Sequence, residues 1–377
     1  MATSFNLVSF PGPLVLGTPP ALLLGRVLLG GFVTALCFSF VPIGPLYVFA
    51  LAFDLAGTAL AGGVVTIRTL PAQALLVAIY FIPAQLFARW TRENRNLRTR
   101  AWLHPVFYAG LLLGVLPALI LACGGGTWSV PFARSSFLNK LYLQMLFVPA
   151  ILLLHSVQEF ARRGYGTPMP ADPPERLVTS GIYAYVANPM QIGKFLAVAG
   201  WGWFWWNPWI VAAALAGLAY SVGIASPREE REMAQRFPKA WPMYRQEVGR
   251  WRVRWKPYHA SLASGTPLAR LYLRLECAPC RQMAEWIGRQ APVGLQVLPI
   301  EPERMLSRIT YDPGDGGEIE YGIAGVARAL EHIHFGLAMF AGMLRLPGIA
   351  WLAQVVTDAL NPENQVSCAI PEADSSR

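Results

Sequence analysis

Apolar runs of about twenty residues, repeated through the first part of the chain, restrict the fold more than any other feature. Runs near residues 21–40, 43–62, 70–89, 104–123, 138–160, 190–206 and 207–226 each approach the ~20 residues that cross a bilayer as a helix. Backbone inside a bilayer must satisfy its own hydrogen bonds, so a polytopic α-helical membrane domain of about seven spans is expected. Composition agrees: 54% of the 377 residues are hydrophobic and 14% charged, outside the range of ordinary soluble domains. Gly30-Gly31 and Val41-Pro42-Ile43-Gly44-Pro45 interrupt the first two runs, which leaves a re-entrant pair open as an alternative there.

The formal net charge of +9 raises nucleic acid as a partner. The arginines, however, sit in short loops between apolar runs, where lipid head groups and topology account for them, and no nucleic-acid partner is expected. Arg89, Arg92, Arg95, Arg98 and Arg100 crowd the third connection, Arg162, Arg163 and Arg176 the fifth, and arginines recur after Ser226. These faces are expected in the cytoplasm. With an odd number of spans the N-terminus falls outside, in keeping with the absence of charged side chains before Arg26. The first twenty residues lack a basic segment and carry Pro11, Pro13, Pro19 and Pro20, so they read as a short tail and not as a cleavable signal.

Two ionisable residues fall inside neighbouring runs, Arg26 and Asp54. Either they pair, because a lone charge there is costly, or Arg26 snorkels to its near interface. Lys194 has a stem long enough to snorkel as well. Trp201, Trp203, Trp205, Trp206 and Trp209 bracket Asn207-Pro208 and read as an aromatic belt on the outer face.

The stretch Leu177–Gly193 sets turn, aromatic and proline signals against the start of an apolar run. Gly181 and Gly193 permit close backbone approach, Pro189 frees a carbonyl and fixes a bend, and Tyr183, Tyr185 and Asn188 offer hydrogen bonds and ring faces. Alone, this pattern reads as a turn with interfacial tyrosines. A second apolar run follows it and ends in Ser226-Pro227-Arg228-Glu229-Glu230. The order L-x-x-x-G-x-Y-x-x-x-x-N-P-x-x-x-G, apolar hairpin, E-E, then Phe237, Tyr244 and Arg250-Trp251 resembles the isoprenylcysteine carboxyl methyltransferase and phospholipid methyltransferase superfamily of integral membrane enzymes. The resemblance covers roughly residues 104–257, within a membrane domain expected over 1–257.

That resemblance implies transfer of a methyl group from S-adenosylmethionine to a membrane lipid or isoprenoid-type acceptor, from a cavity facing the cytosol. Gly181, Tyr183, Tyr185, Asn188, Pro189, Gln191, Gly193, Glu229 and Glu230 are the expected cofactor-binding positions, and Glu230, Arg250 and Tyr244 the expected catalytic ones. A sulfonium favours aromatic faces and carboxylates. Ser226-Pro227-Arg228-Glu229 has the form of a helix capping box. That offers Glu229 a structural role as an alternative to its cofactor-binding one, and the resemblance to the family's E-E pair puts Glu230 nearest the cofactor, with Arg250 on the cofactor's carboxylate. The sequence departs from the family where Ala187 and Gln191 replace the usual arginine and tyrosine, Pro238 a glycine and Trp241 a tyrosine. Those departures point to an acceptor other than a prenylcysteine carboxylate, or to weak activity.

After Pro257 the composition changes. Residues 258–267 read as a linker, 268–360 as a second domain and 361–377 as a disordered tail. Leu268–Leu275 reads as a buried strand, Cys277-Ala278-Pro279-Cys280 as a helix start and Gly294–Ile300 as another strand. This is the order of a small α/β thioredoxin-like domain, with Cys277 at the helix N-terminus and Cys280 one turn on. With Leu344-Arg345-Leu346-Pro347-Gly348-Ile349-Ala350-Trp351, the segment resembles the DCC family of thiol-disulfide oxidoreductase-like proteins, which implies redox cysteines and a thiol partner. Its Leu275-Glu276-Cys277 departs from that family's D-G-x-C start. Two cysteines make half a zinc site, and His332 and His334 at i and i+2 do not face one way, so no metal is expected. Phe335–Leu360 is read as two amphipathic helices divided by Arg345–Gly348, covering the sheet or lying on the membrane. The competing functional reading is a membrane-anchored thiol-disulfide oxidoreductase-like protein whose helices are a scaffold.

Overall fold

The computed structural model describes residues 22, 25–26, 33, 37–63, 66–67, 69–125, 135–168, 172–259, 268–300 and 308–360. Most of the expected first span (21–40), residues 260–267 of the expected linker and the tail 361–377 lie outside the described residues. By internal contacts the chain divides into two units, one of residues 1–139, 169–172 and 201–213, the other of residues 140–168, 173–200 and 214–377.

Among the described residues, five helices are long and apolar enough to cross a membrane. They are α1 (Ile43–Leu60), α2 (Leu70–Arg92), α3 (Leu97–Cys123), α4 (Ser136–Gly164) and, after the shorter α5 (Pro189–Phe204), α6 (Pro208–Arg236). A bent pair near the C-terminus adds a sixth if it is counted as one span. The count thus differs from about seven for two reasons. Most of the first run lies outside the described residues, and the run at 190–206 forms a helix of 16 residues, short of a full crossing.

In the first unit, burial follows i, i+4 stripes: Leu46, Ala50, Asp54 and Thr58 on α1, and Gln73, Val77, Phe81 and Gln85 on α2. The outward faces carry Val48, Phe49, Phe53, Leu75 and Ile79. Apolar outside with polar groups inside is the inversion expected of helices in lipid. Arg26 Nε donates to Asp54 Oδ1 at 2.5 Å and Nη2 to Oδ2 at 3.2 Å, so these two charges pair. Arg100 is also buried, donating to Asp172 at 2.6 Å and to Asn94 Oδ1 at 3.0 Å. Asn207 Oδ1 accepts from the amides of Trp209 and Ile210 and so caps α6.

The second unit holds α7 (Ala240–Glu247) and a mixed four-stranded sheet with its helices. These are β1 (Ala269–Leu273), α8 (Ala278–Arg289), β2 (Leu295–Pro299), β3 (Thr310–Asp312), β4 (Glu320–Tyr321), α9 (Ile323–Leu330), α10 (Phe335–Leu344) and α11 (Pro347–Leu360). The strand order is β2-β1-β3-β4, with β1 parallel to β2 and antiparallel to β3, and β4 antiparallel to β3. A parallel neighbour needs a crossover, and α8 supplies it. Leu271, Leu273, Ile287, Tyr311 and Ala329 form the core beneath it. Helices α10 and α11 meet at 86°, where Pro347 denies an amide to a continuous helix.

Helix α10 is a packing element of the membrane-type helices in its own unit. Phe335 and Met339 pack on the cluster of Leu152, Val178, Ile182 and Tyr183, and a side chain at Gly342 would overlap the His155 ring. Residues 268–360 therefore share one unit with 140–168 and 173–200.

Candidate functional site

Gly181–Ala184 forms a short 3-10 turn. Gly181 has φ +59°, and a Cβ there would lie 3.0 Å from Glu159 Cδ and 3.2 Å from His155 Nε2, so both its conformation and its surroundings demand glycine. The turn is pinned from two sides. Tyr244 donates its hydroxyl to the Tyr183 carbonyl at 2.7 Å, and Tyr185 donates to the Glu331 carbonyl at 2.8 Å. Burial pushes both phenols, and that of Tyr183, above the usual tyrosine range, so they stay protonated. Residues 249–258 run alongside. The amides of Ala187 and Asn188 donate to the carbonyls of Gly249 and Arg250, and those of Arg254 and Tyr258 to the carbonyls of Tyr185 and Ala184.

Beyond the turn, Pro189 opens α5, and a Cβ at Gly193 would sit 2.7 Å from Leu153 Cγ, so α5 and α4 approach closely. A polar set gathers at this end. Asn188 Nδ2 lies 3.4 Å from Gln191 Oε1 and 3.3 Å from Ser226 Oγ, Ser226 Oγ donates to Gln191 Oε1 at 3.4 Å, and Gln191 Nε2 donates to Glu229 Oε2 at 3.4 Å. Glu229 is exposed.

Glu230 has different company. Trp241 Nε1 donates to its Oε1 at 2.7 Å, Arg250 pairs with its Oε2, and Arg245 Nε is 3.5 Å away. Glu230 and Arg250, each expected to meet the cofactor, thus bond each other. Ser226 is not an N-cap. The helix continues through it from a π-helical turn at Ser221–Ala225, and Ala225 is itself helical. The wide turn accommodates Pro227, which has no amide to give, and the serine hydroxyl is left for Asn188 and Gln191.

A buried ion network stands behind Gly181, and the sequence reading missed it. Arg328 donates from Nε to Glu320 and from Nη1 to Glu159 and Glu331, each at 2.8 Å. Arg345 reaches the same three carboxylates at 2.9–3.3 Å, and Arg162 lies 3.5 Å from Glu320. Ser180 Oγ donates to Glu159 at 2.5 Å. Burial alone would raise the carboxyls of Glu320 and Glu331, but Arg328 and Arg345 outweigh it and hold both below the usual range. His155, Glu159 and Glu331 bring donor atoms within 4.8 Å of one another, a metal-like spacing. Two guanidiniums already bridging those carboxylates oppose a cation there. The available signal was a lone acid in an apolar run, Glu159, and lone arginines in apolar segments, Arg328 and Arg345. Their convergence is tertiary.

Cys277 is the N-cap of α8, in extended backbone just after β1, with Cys280 in the first turn. Both are free and half-buried. Burial, then the hydrogen bond and charge of Cys277, pushes the Cys280 thiol up to about 11.

The family model for phospholipid methyltransferase (PEMT) matches residues 140–240. The matched stretch takes in Leu177–Gly193 and Glu229-Glu230 and stops short of Tyr244 and Arg250. No curated protein and no solved structure matches the chain.

Proposed function

We propose that the chain transfers a methyl group from S-adenosylmethionine to a lipid-type acceptor in the bilayer, at the end of α5 and α6 where Asn188, Gln191, Ser226 and Glu229 meet. The observation that carries this reading is a coincidence: the phospholipid methyltransferase match over residues 140–240 contains this polar set, which runs from buried Asn188 and Ser226 to exposed Glu229, and the turn that positions it. The donor set suits the cofactor. Its sulfonium and ammonium call for carboxylate and amide oxygens, and Glu229 offers a carboxylate at the surface, backed by the half-buried Gln191 and the buried Asn188. When bound, S-adenosylmethionine supplies an electrophilic methyl group.

The chain's own residues bind and orient. Glu229 faces positive charge, Gln191 and Ser226 hold Glu229 and Asn188 in register, and Tyr183, Tyr185 and Tyr244 fix the turn. Glu230, paired with Arg250 and Trp241, braces α6 against residues 241–250. A prenylated or isoprenoid acid and a phospholipid amine are both acceptors of the required kind. In this reading the polar set and the C-terminal segment face the cytoplasm, where the cofactor is made, and the N-terminus is outside. Calorimetric titration of the full chain in nanodiscs with S-adenosylmethionine tests the proposal. Saturable binding, weakened about tenfold in Glu229→Gln by loss of one charge-assisted bond, is expected. No binding by the unaltered chain would overturn it.

A second activity is favoured by one observation, the placement of Cys277 at the α8 N-cap after β1. We read residues 268–360 as a thioredoxin-like, DCC-type module. The Cys277 thiolate attacks a partner's disulfide, forming a mixed disulfide and releasing one partner thiolate. Cys280, losing its proton, then displaces the second partner thiol, so the pair is oxidised and the partner reduced by two electrons. Gel-shift counting of free thiols after incubation with a disulfide substrate tests this: a loss of two of the five cysteine thiols is expected, and an unchanged count would exclude it.

A further inference from the structure

A partly open cavity of about 90 Å³ lies within the second unit, lined by the end of α4, the Thr179–Gly181 turn, residues 257–259, the strands and the end of α9. One water needs roughly 10–15 Å³ by this measure, so the space admits an ion larger than water. Its polar atoms are unevenly engaged. Arg328 is 1% exposed, and its Nη2 has no hydrogen-bond partner among the described residues, although Nε and Nη1 are fully occupied. Arg163, 10% exposed, likewise has no hydrogen bond at Nη1, which stands 3.5 Å from Asp315 Oδ1. The carboxylates on the wall are engaged unequally. Glu331 accepts from Arg345 and Arg328, and Asp315 Oδ1 accepts from the Gly317 amide.

One wall has a fixed proton arrangement. His332 Nδ1 lies 2.7 Å from the Val293 carbonyl, which only accepts, so Nδ1 carries the proton. Burial lowers the His332 pKa to about 4, so at neutral pH Nε2 is bare and accepts the Tyr311 hydroxyl at 2.8 Å. The Tyr311 oxygen is then an acceptor only. Among its polar lining groups the cavity therefore offers two guanidinium donors, at Arg163 and Arg328, and at Tyr311 an oxygen that has no proton left to give.

We infer that this cavity binds a small tetrahedral oxyanion that carries a proton, of the hydrogen phosphate type, with its oxygens on Arg163 and Arg328 and its hydroxyl on Tyr311. A carboxylate or sulfate fills the donors but leaves the Tyr311 oxygen unanswered. The inference does not depend on the methyl-transfer proposal.

The test is titration of the full chain in phosphatidylcholine nanodiscs with inorganic phosphate and with sulfate at pH 7. Saturable phosphate binding is expected, with sulfate about tenfold weaker. Arg163→Gln is expected to weaken phosphate by about tenfold, the effect of one charge-assisted hydrogen bond. Tyr311→Phe is expected to erase the preference for phosphate while leaving sulfate binding in place. Arg328 belongs to the buried network and is not a usable variant. Adding phosphatidic acid to the nanodiscs separates the sources: competition identifies a lipid phosphate monoester as the occupant, and no competition a free phosphate, both with the inferred chemistry. Absence of saturable phosphate binding, an unchanged affinity in Arg163→Gln, or displacement of phosphate by S-adenosylmethionine would each overturn the inference.

Discussion

Glu229 and Glu230 are neighbours in the chain but point about 100° apart around α6, and that angle decides their roles. Glu229 reaches Gln191 across the α5–α6 junction, whereas Glu230 turns to Trp241 and Arg250. We expect Glu229→Gln to reduce cofactor affinity with little change in melting temperature. Glu230→Gln should lower the melting temperature more than the affinity, because it leaves Arg250 without its carboxylate. The reverse pattern in paired titrations and melts would return the cofactor to Glu230. At the cysteines, the raised Cys280 thiol and the N-cap position of Cys277 predict that iodoacetamide labels Cys277 before Cys280 at pH 8, as read by peptide mass. Residue identity was legible at Gly181, where sequence asked for a glycine and the backbone has φ +59°. It misled at Ser226, because a capping-box pattern says nothing about a π-helical turn carrying the helix through it.

At the scale of elements, the turn 181–184 is held less by its own sequence than by α4, α9 and α10. Glu159, Arg328 and Arg345 are 159, 328 and 345 in the chain but share hydrogen bonds, so α9 and α10 stand directly behind the turn. Removing one partner of a buried pair typically costs about 3–5 kcal/mol, and we expect a loss of that order in Arg328→Met by urea unfolding. Gly181→Ala combines a left-handed backbone, about 1–2 kcal/mol, with a Cβ pressed on Glu159. It should be destabilised by about 2 kcal/mol or more, and unchanged stability would show that the network yields easily. The apolar runs announced α1 to α4 and α6, and the alternation at 268–300 announced β1 and β2, because periodicity is local. The ion network was not legible, since no local pattern records which lone charges meet across the fold.

For the whole molecule, the proton balance sets a stability profile. The carboxyls of Glu320 and Glu331 are held below their usual range, so their contribution is complete above the unfolded value near 4.5 and is lost as pH falls through the lower folded values. His332 titrates the other way. Its folded pKa of about 4 lies below the ordinary 6.5, so the unfolded chain takes up a proton first and stability declines as pH falls from 6.5 toward 4. Melting temperature in nanodiscs should therefore hold at pH 7–8, fall from about pH 6.5 and fall further below about 4.5. A flat profile down to pH 4 would contradict the buried, neutral His332.

Methyl transfer at the Asn188–Glu229 set is tested most directly by measuring the product itself. The full chain in nanodiscs of mixed lipid is incubated with S-adenosylmethionine labelled in its methyl group, and the organic extract is counted against a Glu229→Gln preparation. We predict label in an extractable lipid or isoprenoid product, time-dependent and reduced about tenfold or more by the substitution. Absence of extractable label from a chain that binds the cofactor would contradict a bilayer acceptor. Equal label from both preparations would contradict the site.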